Sequence, residues 1–163
     1  MQTTYFIILT LLAVSPATAQ ADLRVREVID RVTYEQGRGA QFAAVEEVFP
    51  GDRLRYQLHF RNEMELAADS VMLTTPVPPG LDFTGKTASS APADFEVSVD
   101  HGVTYGTLET LFIQAATGPR PATLRDVTDL RWRFVNEVPA GAEGVVEFYA
   151  IVERIEPATR NDQ

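Results

Sequence analysis

The sequence predicts an all-β protein, an antiparallel β-sandwich of about seven to nine strands. Apolar and polar residues alternate with a period of two in several segments, and corners rich in proline and glycine separate those segments. No segment after residue 21 has the period of an amphipathic helix. We therefore expect a single sandwich domain over residues 22–156, followed by a disordered tail at 157–163.

The N-terminus predicts export. Residues 5–14 (YFIILTLLAV) form a short uncharged apolar run, and the small-residue segment SPATAQA follows it. This order is typical of a secretory signal peptide, and cleavage after Ala19 or Ala21 satisfies the A-x-A pattern. The run is too short to span a bilayer, which requires about twenty apolar residues. We expect residues 1–21 to be removed and the mature protein to reach the periplasm or the medium without a transmembrane span.

The amino-acid composition argues against several kinds of function. The chain has 163 residues, 14 basic and 23 acidic side chains, a net charge of −9 and no cysteine. Nucleic acid is an improbable partner, because phosphate binding needs a basic surface. Without disulfides, stability has to come from burial and backbone pairing. No phosphate-binding glycine loop and no zinc-ligand spacing occurs, so we predict no cofactor and no metal site.

The clearest strand lies at residues 52–62 (DRLRYQLHFRN). Its apolar side chains fall on one face, and its arginines, Gln57 and His59 fall on the other. A half-buried strand has this pattern, because successive side chains point to opposite faces. The same alternation predicts strands in DFEVSVD, DLRWRFV and EGVVEFYAIVE, and further strands at 23–34 and 69–75. The buried face of residues 52–62 would carry Leu54, Tyr56, Leu58 and Phe60.

The last predicted strand has two apolar faces. Val146, Phe148, Ala150 and Val152 form one, and the other includes Tyr149 and Ile151. Either Tyr149 and Ile151 form an exposed apolar patch that marks an interface, or a loop such as residues 110–122 covers them.

Residues 76–80 (PVPPG) contain three prolines and a glycine. Proline cannot donate to a sheet ladder, so pairing has to stop there, and Gly80 can adopt the positive φ of a turn. We expect a stiff corner that carries the chain to the next strand, in the same sheet or in the other one. The segment Val138-Pro139-Ala140-Gly141 has a similar composition and precedes the last strand.

These segments together resemble the immunoglobulin-like conserved-repeat family of bacterial exported proteins, known as domain of unknown function eleven. The resemblance covers about residues 45–152. It implies an Ig-like sandwich outside the cytoplasm and no catalytic residues. Family members often occur as tandem repeats, whereas this chain has one copy, which favours a small soluble module. The matching positions are Pro50-Gly51-Asp52, Leu54 to Asn62 with alternation, Ala68-Asp69-Ser70-Val71, Pro76-x-Pro78-x-Gly80-Leu81-x-Phe83, Leu130-x-Trp132-x-Phe134, Val138 to Gly141, and Val146-x-Phe148-x-Ala150-x-Val152.

Catalytic signals are weak. His59 lies on the polar face of a strand, and His101 follows Asp100 at a predicted hairpin tip. A nucleophilic site would need a serine beside a histidine and an orienting acid, and no serine lies in a G-x-S-x-G elbow. We expect exposed and turn histidines. The available serines are Ser70, Ser89, Ser90 and Ser98.

Carboxylates are the remaining ligand candidates, since calcium prefers oxygen ligands. Asp126 and Asp129 form one group, and Glu46 and Glu47 read as a surface pair. Alternation places a second group on one strand face, which more often means a solvated face than a metal site. That group is Asp94, Glu96, Ser98 and Asp100.

We therefore expect a non-enzymatic exported Ig-like module with a structural or protein-interaction role in the bacterial envelope, and another envelope protein as partner. A carbohydrate- or small-ligand-binding module and a hydrolase of unrecognised type remain alternatives. The sequence predicts no catalytic, cofactor-binding or metal residues. The residues expected to carry the fold are Tyr56, Phe60, Pro76, Pro78, Gly80, Trp132, Phe134, Gly141 and Phe148.

Overall fold

The computed structural model describes residues 23–154. The predicted signal peptide and the predicted tail lie outside them. Within the described residues there are only strands and two single turns of 3-10 helix, and no helix there is long and apolar enough to cross a bilayer. The strands are β1 (Leu23–Glu35), β2 (Gly39–Ala44), β3 (Arg53–Asn62), β4 (Met72–Pro76), β5 (Leu81–Ser89), β6 (Ala93–Ser98), β7 (Phe112–Ala115), β8 (Gly118–Pro121), β9 (Asp129–Phe134) and β10 (Glu143–Val152).

The predicted antiparallel β-sandwich is confirmed. One sheet has five strands in the order β2-β1-β3-β10-β5, and the other has three in the order β4-β9-β6. Every strand pair is antiparallel. These eight strands fall within the predicted number, and β7 and β8 form a separate hairpin that the sequence pattern did not predict. The apolar inner faces of the two sheets share one core.

Aromatic side chains join the two sheets inside this core. Tyr56 of β3 stacks on Phe148 of β10 with ring centroids 4.7 Å apart. Phe60 of β3 meets Phe134 of β9, in the opposite sheet, edge to face at 4.9 Å. Trp132 is 1 % exposed. The alternation in β3, β9 and β10 therefore predicted the buried face correctly, because only one face of each of these strands contacts the opposite sheet.

The corner at residues 76–80 passes from one sheet to the other. β4 belongs to the three-stranded sheet and β5 to the five-stranded sheet. The N–H of Leu81 donates to the carbonyl of Pro78 at 3.2 Å, and Gly80 has a φ of 80°. Proline before a positive-φ glycine is the signature of a type II turn. Residues 139–142 form a similar turn with Ala140 before the glycine, because the Ala142 N–H donates to the Pro139 carbonyl at 3.0 Å and Gly141 has a φ of 70°.

Asn62 at the end of β3 fixes this second turn from inside, and its side chain is fully buried. Its amide nitrogen lies 2.9 Å from the carbonyl oxygens of Leu66 and Val138 and 3.2 Å from that of Pro139. Its side-chain oxygen accepts the N–H of Met64 at 3.0 Å. A buried amide is stable only when its polar atoms have such partners.

Two boundaries differ from the prediction by two residues or more. The strand expected at 69–75 begins at Met72, because Ser70 has a φ of 55°, which is incompatible with an extended strand. The strand expected through Asp100 ends at Ser98. Ser98 is fully buried, and its hydroxyl donates to Asp100 at 2.7 Å in the following turn. The prediction of one solvated face through Ser98 and Asp100 is therefore wrong.

Candidate interaction surface

Strand β2 is the outermost strand of the five-stranded sheet. It pairs with β1 in six consecutive registers, from Asp30 opposite Ala44 to Glu35 opposite Gly39, without a bulge. Within residues 23–154 its other edge pairs with no strand. Its sequence, GAQFAA, contains no charge and no proline, and all its residues except Ala40 are exposed. Such an edge presents unpaired N–H and C=O groups to any extended chain that approaches it.

The other edges of the large sheet are protected. On β5, the register against β10 shifts between Phe148 and Ala150, and Gly85 at the shift has a φ of 78°. The same strand carries Asp82 and Lys86. Charges and bulges on an edge strand oppose edge-to-edge pairing. Residues 23–29 of β1 pair only with β3, and they carry three charged side chains.

The smaller sheet and the hairpin also protect their edges. β6 carries Asp94 and Glu96, and its N–H at Val97 donates to Gly106 at 2.9 Å. β4 has five residues and ends in a proline, and β8 contains two prolines. β7 is uncharged but has only four residues. Among the strands that the structure describes, β2 is therefore the longest edge without charge, proline or bulge.

Beneath β2 the outer face of the sheet carries a cluster of charges. Arg55 lies 2.5 Å from Asp30 and 3.5 Å from Glu147, and all three side chains are at most one-fifth exposed. The ring of Phe42 covers the guanidinium, 3.6 Å from ring centroid to carbon. Burial lowers the pKa of Arg55, but the Asp30 hydrogen bond and the two carboxylate charges outweigh it and raise the pKa above its usual value. Arg55 is therefore a permanent cation that anchors Phe42.

Two aromatic side chains remain exposed on this outer face. Phe42 is 43 % exposed, and Tyr34 of β1 is 59 % exposed. Tyr34 is opposite Ala40, two residues along β2 from Phe42, so the two aromatics are diagonal neighbours on one face. Arg53 approaches the Tyr34 ring at 5.9 Å. The alternation in the sequence did not predict this pair.

The exposed apolar patch predicted at Tyr149 and Ile151 is absent from the described part of the chain. Tyr149 is 9 % exposed and Ile151 is half-buried. The bulge in β5 places Lys86 over the Tyr149 ring, with Nζ 3.8 Å from the centroid. The hydroxyl of Thr84 donates to the Tyr149 carbonyl at 2.8 Å. The cover therefore comes from β5, and residues 110–122, the predicted cover, contain the β7–β8 hairpin instead.

His59 lines a shallow groove of about 340 Å³ at the opposite end of this face. Arg61 pairs with Glu143 at 2.7 Å, and Arg24 pairs with Glu63 at 3.4 Å, so carboxylates neutralise two of the arginines nearby. The complete lining is Arg24, Arg26, His59, Phe60, Arg61, Glu143 and Gly144.

The two histidines are not brought together with a serine. His101 has a φ of 58° and is exposed at the turn after β6, as expected, while His59 lies in the other sheet. Ser90 accepts the N–H of Val145 at 2.8 Å, and Ser89 donates to the Ala91 carbonyl at 2.6 Å. No hydrogen bond in residues 23–154 joins a histidine side chain to a serine.

Two of the carboxylates considered for calcium pair with arginines instead. Asp126 accepts two hydrogen bonds from Arg120 at 2.8 Å and one from the Thr123 hydroxyl at 2.7 Å. The Arg120 hydrogen bonds lower the pKa of Asp126 well below its usual range, and those of Thr123 lower it further. Glu96 pairs with Arg131 at 2.7 Å. No group of three potential metal ligands occurs within residues 23–154.

No protein-family model matches this chain, and no curated protein or solved structure shows significant similarity to it. The resemblance to the conserved-repeat family therefore stays a prediction from the residues quoted above.

Proposed function

We propose that the chain is a non-enzymatic exported module of the bacterial envelope that binds a protein partner by accepting an extended strand on β2. The single observation that carries this proposal is the contrast between β2 and the other sheet edges. Export is supported by the signal-peptide pattern of residues 1–21. The envelope location and the Ig-like character of the sandwich are supported by the family resemblance.

Strand addition uses the backbone for affinity and alternate side chains for specificity. On β2, Ala40, Phe42 and Ala44 share one face, while Gln41 and Ala43 share the other. The small alanines leave space beside Phe42, and the half-buried Arg55 beneath holds that ring in place. A partner strand with an apolar side chain beside Phe42 fits this surface.

In-cell photo-crosslinking tests the proposal. A photoreactive residue at Ala43 should capture a protein from the envelope fraction. The same residue at Met72, which is exposed on the edge of β4, is the matched control and should capture nothing. A lysine at position 41 should abolish capture from Ala43, since charge on an edge strand opposes pairing. Equal capture from both positions, or none from Ala43, would contradict the proposal.

The placement of the two histidines relative to the serines supports a proposal without an enzyme site. His59 and His101 lie in different parts of the sandwich, and no hydrogen bond within residues 23–154 joins either side chain to a serine. The hydrolase alternative therefore receives no support from the described residues.

Carbohydrate binding is a second candidate function, favoured by the exposed Tyr34 and Phe42 on one face. Aromatic rings on a solvent-facing sheet are the platform that a sugar ring requires. A glycan array with the wild-type protein and the Tyr34→Ala variant tests it. Selective hits lost in the variant support a sugar site, whereas strand addition on β2 should tolerate the variant.

A further inference from the structure

We infer that the partner strand on β2 is β2 of a second copy of this chain, paired antiparallel about a two-fold axis at Phe42. This inference rests on the proposed function, because it uses the same edge. Its particular basis is the order of side chains along residues 38–46 (RGAQFAAVE), which is complementary to itself when reversed.

The charges at the two ends of this segment set the register. Arg38 lies in the hairpin turn directly before β2, and Glu46 lies in the bend two residues after it. Antiparallel pairing centred on Phe42 brings Arg38 close to Glu46 of the second copy, and the two-fold axis generates that approach twice. Both side chains are exposed. Arg38 has one weak ion pair, 3.3 Å from the exposed Glu35, and Glu46 has no ion pair within residues 23–154. Opposite charges brought close together attract each other, and like charges repel.

The remaining pairs fit the same register. Phe42 meets Phe42 of the second copy on the outer face, and aromatic pairs directly opposite each other are favourable. Ala40 meets Ala44, so no bulky side chain of β2 itself flanks the two rings. A shift by two residues in either direction removes both Arg–Glu pairs and places Phe42 opposite an alanine. The two five-stranded sheets would thereby become one continuous sheet, with both outer faces on the same side.

Disulfide mapping tests the register without competing disulfides, because the chain contains no native cysteine. Directly opposite residues have Cα atoms about 4.5–5.5 Å apart, within disulfide range. Ala40→Cys mixed with Ala44→Cys should therefore form a crosslinked dimer on oxidation. Ala40→Cys alone should give about tenfold less, because its two copies would lie about 13 Å apart along the strands. Equal yields from both samples would overturn the register.

Charge reversal provides the matched control. Arg38→Glu opposes two glutamates in its own dimer and Glu46→Arg opposes two arginines, so crosslinking should be lost when either change is carried by both the Ala40→Cys and the Ala44→Cys partner. An equimolar mixture of the two variants, each carrying one of the cysteines, places opposite charges at both ends and should restore it. Failure of the mixture to recover, with both variants folded by circular dichroism, would overturn the self-pairing.

The in-cell crosslink at Ala43 separates this inference from the function beneath it. Capture of a second copy, alongside the expected cysteine pattern, supports both. Capture of a different protein, without the cysteine pattern, overturns the self-pairing and leaves strand addition on β2 standing. No capture at all overturns both.

Discussion

Replacing Asn62 by alanine should destabilise the protein severely, although Asn62 is a polar residue at a strand end. The side chain is fully buried, its two amide N–H groups lie within hydrogen-bonding reach of three carbonyl oxygens, and its oxygen accepts the Met64 N–H. An intramolecular hydrogen bond contributes about 0.5–1.5 kcal/mol net, and an unsatisfied buried group costs about 1–3 kcal/mol. Val138 and Pro139 keep backbone donors, from Ala68 and Ala142, whereas the Met64 N–H loses the only acceptor described for it. We therefore expect a loss of about 2–5 kcal/mol in the free energy of unfolding.

Urea titration of Asn62→Ala against wild type measures this loss, with the slope of the transition compared to confirm two-state unfolding. The matched control is Asn136→Ala, because Asn136 is exposed and makes no side-chain hydrogen bond within residues 23–154. The control should change stability by less than about 0.5 kcal/mol. If Asn62→Ala cost no more than this control, the assignment of Asn62 as the link between the loops after β3 and before β10 would be refuted.

Trp132→Ala should cost about 3–5 kcal/mol in the same titration, since its buried ring lies between Leu73 and Phe95, and a loss below about 1 kcal/mol would be inconsistent with a core ring. Gly144→Ala should abolish the cooperative transition or shift it strongly, because a Cβ there would lie 2.3 Å from the ring of Phe60; a wild-type midpoint would show that the packing is looser than described. Hydrogen bonds from the Thr104 side chain, the Thr104 N–H and Ser98 lower the pKa of Asp100 to about 2. The ionised form is thus favoured in the folded state, and the stability it contributes is present above pH 4 and lost as pH falls toward about 2. The urea midpoint of Asp100→Asn should fall less steeply over that pH range than that of wild type, and equal pH dependence would contradict the assignment.

Strands with one apolar face and one polar face could be predicted from the sequence. In β3, Leu54 to Phe60 alternate with Arg53 to Arg61, and the structure buries the first set. The corner at Pro78 and Gly80 was equally readable, because proline removes a donor and glycine permits the turn. The sheet that each strand joins could not be predicted, since pairing partners depend on contacts between residues distant in sequence.

β2 was missed because both its faces are exposed, so GAQFAA shows no alternation between apolar and polar residues. The only local signal was the pair Gly37 and Gly39, whose φ values of 82° and 74° form the hairpin turn. GAQFAA is therefore difficult to recognise as a strand, and the same absence of charge and proline leaves its edge available for pairing. The cover over Tyr149 was also unpredictable, because it depends on the bulge at Gly85 and the resulting position of Lys86.

The most direct test of the account is the yield of photo-crosslinked protein from Ala43 in β2 relative to Met72 in β4, measured in living cells. Strand addition on β2 predicts a discrete crosslinked species from Ala43 that disappears when Gln41 is replaced by lysine, and none from Met72. The absence of any species from Ala43, with the protein folded and exported, would contradict the claim that this edge is the functional surface.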